Sequence, residues 1–139
     1  MRVQIKNDVA EMQKLRDAVQ IFCEQNQLSE DIVFVLDLCL EELVTNVIKY
    51  AHQDSAEHEI QIDLSLQEDL LILEITDDGR SFDPTQIPEP DLDLPLEERQ
   101  IGGLGIHLVR NYVDSMRYKR KGNQNITTLQ KRITIASDN

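Results

Sequence analysis

No apolar run in the 139-residue chain approaches the roughly 20 residues that a membrane-spanning helix needs. The opening stretch "MRVQIKNDVAEMQK" also lacks the charged-then-apolar layout of a secretory signal. Both absences predict a cytoplasmic protein with no membrane association. Cysteine is scarce: Cys23 and Cys39 stand among apolar residues in helical patterns, without metal-ligand spacing, and read as buried thiols. Basic side chains are also few, 14 against 26 acidic ones, for a formal net charge of −12. This balance argues against nucleic acid as a direct partner, because a phosphate backbone demands a basic surface. An acidic surface leaves room for a basic protein partner. No Gly-x-x-x-x-Gly-Lys-Ser/Thr occurs, which excludes a P-loop.

Glycine and proline are few but crowded. Four of the five glycines lie between Gly79 and Gly105, and all four prolines fall within "DDGRSFDPTQIPEPDLDLPLEERQIGG". A connection of that length inside one small domain is usually functional or disordered, and residues 79 to 102 read as a mobile lid. The lid runs into "GGLGIHLVRNYVD", where Gly102, Gly103 and Gly105 abut a helical pattern at about 103–115. Glycines beneath a helix start let the backbone approach an anion, since the first turn presents unpaired N–H groups and the positive end of a dipole. A flexible loop that merely ends at a helix is the other reading.

The remainder is regular, and its length suits one domain, residues 1–139, with a hydrophobic core. "RVQIKN" alternates as a short strand. Residues 8–26 place Met12, Leu15, Val19 and Phe22 on one helical face. "LSEDIVFVLDLCLEELVTNVIKYAH" opens with Ser29 as N-cap and with Glu30 and Asp31 in its first turn; it is apolar nearly all round, as a central buried helix is. "EHEIQIDLSLQ" and "LLILEITDDG" alternate around a short turn and form a hairpin, and "SMRYKRK" and "NITTLQKRITI" form another. The order predicts an α+β two-layer sandwich, a mixed, mostly antiparallel sheet covered on one face by three helices.

Polar residues interrupt the apolar faces at two places. Glu42 and Asn46 share a helix face that continues to Lys49 in one direction and to Cys39 and Val35 in the other. A semi-buried acid and amide need partners from protein, water, metal or ligand, although such pairs also occur on solvated helix surfaces. Asp77 ends the row Leu71, Leu73, Ile75, so it points toward the helix layer, where a carboxylate can accept from an amino group. It can equally cap the Asp-Asp-Gly bend. His52 and His58 flank a loop and carry no assigned chemistry.

The ordered triple "ELVTN", "DDGRSFDP" and "GGLG", with a proline-rich lid before the last, resembles the GHKL superfamily of histidine-kinase-like (Bergerat) ATP-binding domains. More closely it is similar to bacterial anti-sigma factor serine-protein kinases, over nearly the whole chain and down to "GGLGIHLVRNYVDSMRY". The resemblance implies ATP and Mg2+ as cofactors. It gives Asn46 the magnesium ion, Glu42 the role of general base, Asp77 the adenine amino group and Gly79 the close approach of the base. Gly103, Leu104 and Gly105 become the phosphate-binding turn. Arg99 is a candidate phosphate ligand or a surface arginine, Lys49 a solvated or supporting residue, and either Thr127 or Thr128 the threonine near the phosphates. The implied activity is phosphorylation of a serine or threonine on a small antagonist protein, with a sigma factor held as second partner and the kinase as homodimer. The alternatives are an ATP-dependent binding switch without phosphoryl transfer, and simple ATP hydrolysis.

Overall fold

The computed structural model describes residues 1–88 and 103–133. Strand β1 (Arg2–Lys6) leads into helices α1 (Met12–Gln25) and α2 (Glu30–Tyr50), followed by β2 (Glu59–Gln67) and β3 (Leu70–Asp77). Helix α3 (Gly103–Tyr112) precedes β4 (Ser115–Lys121) and β5 (Gln124–Arg132). The expected order of elements is present, with one change at the start of the helical layer. Asp8 accepts from the Ala10 N–H and caps a single 3-10 turn, Val9–Glu11, so the α-helix begins at Met12 and not at residue 8. Ser29 caps α2 as expected, its hydroxyl accepting from Ile32 N.

The five strands form one sheet in the order β1-β2-β3-β5-β4, and every pairing is antiparallel. The sheet is therefore not mixed. The crossover from β3 through α3 to β4 would make a parallel pair if those strands were neighbours, but β5 lies between them and pairs antiparallel with both.

Period-two alternation sends Ile60, Ile62 and Leu64 of β2 and Leu71, Leu73 and Ile75 of β3 to one face, where all six are buried. Helix α1 covers them with Met12, Leu15, Val19 and Phe22, α2 with Leu36, Leu40 and Val44, and α3 with Ile106 and Val109. The opposite face is polar: Arg2 pairs with Asp63 at 2.6 Å, and Thr128 meets Glu74 at 3.3 Å. One covered face and one wet face explain the strict alternation of the strands. No helix among the described residues is long and apolar enough to cross a membrane. Cys23 and Cys39 are free and buried, and burial pushes their thiols up to about 11 and about 12.

Candidate nucleotide site

At the end of the sheet where β3 finishes, the helix layer and the first residues of the loop enclose a cavity of about 270 Å³. Its apolar walls come from Leu43 and Val47 of α2, Ile75 of β3, Ile106 of α3, and Pro84 and Ile87 of the loop. Its polar groups are fewer: Asn46, Tyr50, Asp77, Arg80, Asn125 and Thr127. An apolar slot with a small set of fixed polar groups is the usual form of a small-molecule site.

Asp77 is the best-defined of these groups, 6% exposed. Its Oδ2 accepts from the Gly79 N–H at 2.9 Å and from Asn125 Nδ2 at 3.1 Å. The carboxylate thus caps its own bend, as one reading of the sequence held, while Oδ1 has no protein partner among the described residues and keeps access to the cavity. One oxygen fixes the side chain and the other remains an acceptor. Oδ1 can accept from an N–H or O–H donor, an amino group among them.

Gly79 is required by space. A Cβ there would collide with the Ala51 side chain and come within 2.8 Å of the Ala51 carbonyl oxygen and 2.9 Å of Asp77 Oδ2. The turn after β3 and the C-terminus of α2 are in backbone contact, which the bond from Arg80 N to Ala51 O at 3.0 Å makes explicit.

Asn125 was not anticipated from the sequence, yet it organises this corner. It stands opposite Asp77 in the β3–β5 register and is 4% exposed. Its amide nitrogen donates to Asp77 Oδ2, to Gly79 O at 3.3 Å and to Arg80 O at 2.8 Å. Its amide oxygen accepts from Tyr118 Oη at 2.5 Å and from Arg120 Nη1 at 3.0 Å. Arg120 also donates to Gly79 O at 2.6 Å. The side chains of Asn125 and Arg120 thus hold the bend from Asp77 to Arg80 from β5 and β4, in addition to the backbone bond from Arg80 N to Ala51 O. Further along the loop, Arg110 of α3 donates to Ile87 O at 2.7 Å.

At the other end of the cavity, Asn46 lines the wall and Glu42 lies one helical turn earlier, both half-buried as their apolar neighbours Val35 and Cys39 suggest. Glu42 does not line the cavity. Its carboxylate packs against Gly105, where a Cβ would overlap Oε2 and Cδ and reach within 3.1 Å of Cγ. Gly103, Leu104 and Gly105 are the first three residues of α3, so the helix start meets the acid of α2. The structure brings Asn46 and Asp77 to one cavity and sets Gly79, Glu42 and Gly105 beside it.

The remaining expectations sort by geometry. Thr127 is buried and lines the cavity, whereas Thr128 faces the polar side with Glu74. Lys49 is exposed and outside the lining. Arg99 and Gly102 lie outside the described residues, as does the expected lid from residue 89 onward; its first part, 79–88, closes one side of the cavity.

His52 and His58, given no chemistry above, stack with ring centroids 3.5 Å apart and planes within 9°. Asp54 and Asp78 flank them, and the Asp54 carboxylate, with Asp78 beside it, raises the His58 imidazole above its ordinary range.

Fold and cavity together define an α+β domain with a ligand cleft between its helix layer and one end of an antiparallel sheet. A sequence model of the histidine kinase-like ATPase domain matches residues 5–131, and the chain belongs to that family. Serine/threonine-protein kinase BtrW of Bordetella bronchiseptica is 30% identical over 105 residues, covering 76% of this chain and 74% of the relative. Serine-protein kinase RsbW of Listeria monocytogenes is 30% identical over 86 residues, covering 59% of this chain and 55% of that protein. The chain thus spans about half the length of that relative. Among solved structures, the Acinetobacter baumannii histidine kinase AdeS aligns with a TM-score of 0.49 and 20% identity, over 73% of this chain and 47% of the other.

Proposed function

We propose that the protein binds Mg-ATP in this cavity and transfers the γ-phosphoryl group to a serine or threonine of a small antagonist protein. The reading is carried by Asp77, whose Oδ1 is left open at the base of an apolar slot that Asn46 shares. Adenine fits such a slot: its ring faces are apolar and its exocyclic amino group donates. A volume of about 270 Å³ suits the base and part of the sugar, and Gly103, Leu104 and Gly105 at the start of α3 would hold the phosphates.

Each residue has a separate task. Asp77 would orient the base, and Gly79, whose missing Cβ lets the bend pack against Ala51, would let the base lie close to the backbone. Asn46 offers its amide oxygen to magnesium, which supplies neutralisation of phosphate charge when bound. The N-terminal N–H groups of α3 would bind the phosphates, as unpaired donors at a helix start can. Glu42 takes the proton of the attacking hydroxyl. Positioning and charge neutralisation account for most of the rate in such a transfer, so few groups suffice.

The names of the kinases BtrW and RsbW support protein phosphorylation as the activity. We extend this to a sigma factor held as a second partner, a homodimeric state and action in the cytoplasm, following the resemblance in the sequence. A switch that binds ATP without transferring phosphate is the second reading, and the position of Glu42 beside the cavity instead of in its lining favours it.

Calorimetric titration with Mg-ATP and Mg-GTP, followed by transfer from labelled ATP to candidate antagonist proteins encoded by neighbouring genes, separates these readings. Saturable binding of ATP over GTP is expected, and Asp77→Asn should weaken it about tenfold or more, the worth of a charge-assisted hydrogen bond. Glu42→Ala should abolish transfer and leave binding nearly intact. Transfer that persists in Glu42→Ala removes the base assignment, and absence of any saturable nucleotide binding removes the proposal.

A further inference from the structure

We propose that His52, His58 and Asp78 form a site for a divalent transition-metal ion of the zinc class, with water completing its coordination. The site is separate from the magnesium position assigned to Asn46 and does not depend on the nucleotide reading. His52 follows the Ala51 C-cap of α2, His58 immediately precedes β2, and Asp78 follows β3, so three elements converge on it.

Spacing is the first argument. His52 Nε2 lies 3.3 Å from Asp78 Oδ1, and His58 Nδ1 lies 3.2 Å from the same oxygen. Ligands about 2.0–2.1 Å from a tetrahedral ion are separated by roughly 3.3–3.4 Å. The three ligand atoms all fall within 4.8 Å of one another, the one such grouping among the described residues.

The unpartnered nitrogen is the second. The His52 side chain is 8% exposed, and its Nε2 is buried without a hydrogen-bond partner although Asp78 Oδ1 is within reach. An unpartnered buried nitrogen is costly, and a metal ion would supply its partner. His58 Nδ1 already meets Asp78 Oδ2 at 3.3 Å and the two rings are stacked, so an ion would replace that contact and turn the rings apart.

The third is the outer partner. His58 Nε2 meets Asp54 Oδ1 at 2.9 Å, which places a proton on Nε2 and leaves Nδ1 to face Asp78 and His52. A carboxylate on the far nitrogen of a ligating imidazole is the common support of a metal-bound histidine. Two imidazoles and one carboxylate suit zinc, cobalt or nickel better than magnesium, which prefers oxygen and water. Asp78, 39% exposed, leaves a path from solvent. Because Asp78 sits between Asp77 and Gly79, a bound ion would tie the bend beneath the cavity to the ends of α2 and β2.

Titration of the full chain with cobalt(II) chloride at about pH 8, where an ordinary imidazole is neutral, tests the site. One equivalent should bind with visible ligand-field absorption, zinc(II) should displace it, and the thermal midpoint should rise with metal concentration. His52→Ala and His58→Ala should each abolish the absorption. Asp54→Asn should weaken binding on the order of ten- to hundredfold through its effect on His58. His107→Gln, which changes the one remaining histidine, should bind as the wild type does. Circular dichroism of each variant checks that the fold is retained. No saturable cobalt absorption, or undiminished binding in either histidine-to-alanine variant, would overturn the proposal.

Discussion

Replacing Asn125 by alanine tests whether one buried amide holds the bend that carries Asp77. The amide makes five hydrogen bonds, three from Nδ2 and two to Oδ1. Two of them involve charged partners, Asp77 and Arg120. Not all five are lost outright. Gly79 O keeps its bond from Arg120 and Tyr118 keeps its contact with Ser81, but Arg80 O loses its donor and Asp77 Oδ2 is left with the Gly79 N–H alone. One charge-assisted bond is worth about 1.5–3 kcal/mol, and an acceptor left without a donor costs about 1–3 kcal/mol where water cannot reach it. Water entering the space returns part of this, so Asn125→Ala should destabilise by about 2–4 kcal/mol, read from the shift of a urea unfolding midpoint at unchanged slope. Nucleotide affinity should fall at least about tenfold as Asp77 loses its orientation, since 1.4 kcal/mol corresponds to a factor of ten. Asn125→Asp keeps the shape but cannot donate to Asp77, and should be at least as damaging. A loss below about 1 kcal/mol in Asn125→Ala with unchanged nucleotide affinity would refute the reasoning.

Three further outcomes follow from the geometry. Gly105→Ala forces the Glu42 carboxylate from its place; because the displaced atoms end a flexible side chain, stability should change by no more than about 1 kcal/mol while phosphoryl transfer falls by about a hundredfold or more, and full transfer would disprove the arrangement. Thr127→Val should reduce nucleotide affinity and Thr128→Val should not, since only the first lines the cavity; equal effects in a binding titration would contradict this. Cys23 and Cys39, with thiols pushed up to about 11 and about 12 by burial, should react with a thiol reagent at about pH 8 only on unfolding, and prompt release of one equivalent from native protein would show otherwise.

The regular elements were legible because each carries its own periodicity. Alternation in β2 and β3 announced which side chains face the helices, and it placed Asp77 inward before any pairing was known. Ser29 marked the start of α2 through local hydrogen bonding alone. What stayed hidden depends on register and on distant contacts. Asn125 reads as one more polar residue near a turn, and only its position opposite Asp77 makes it the clamp. The choice between Thr127 and Thr128 likewise waited on which face of β5 turns inward, which Asn125 and Leu129 settle by being buried. The fully antiparallel sheet was missed because the helical crossover between β3 and β4 suggests a parallel pair, and no local signal says that β5 will come between. His52 and His58 stand in a stretch without periodicity, so their stacking was invisible.

The insertion of β5 into the middle of the sheet imposes a sequence of events on synthesis. A chain emerging from the ribosome exposes the inner edge of β3 until residues 124–132 have been made, because β5 completes that edge. Asp77 is present early, whereas Asn125, the amide that holds its carboxylate, arrives late, so a partial product has the acid without its guide. The cavity corner is thereby complete only after β5 has been made, and a chain interrupted before residue 125 leaves an open strand edge, the surface from which aggregates grow.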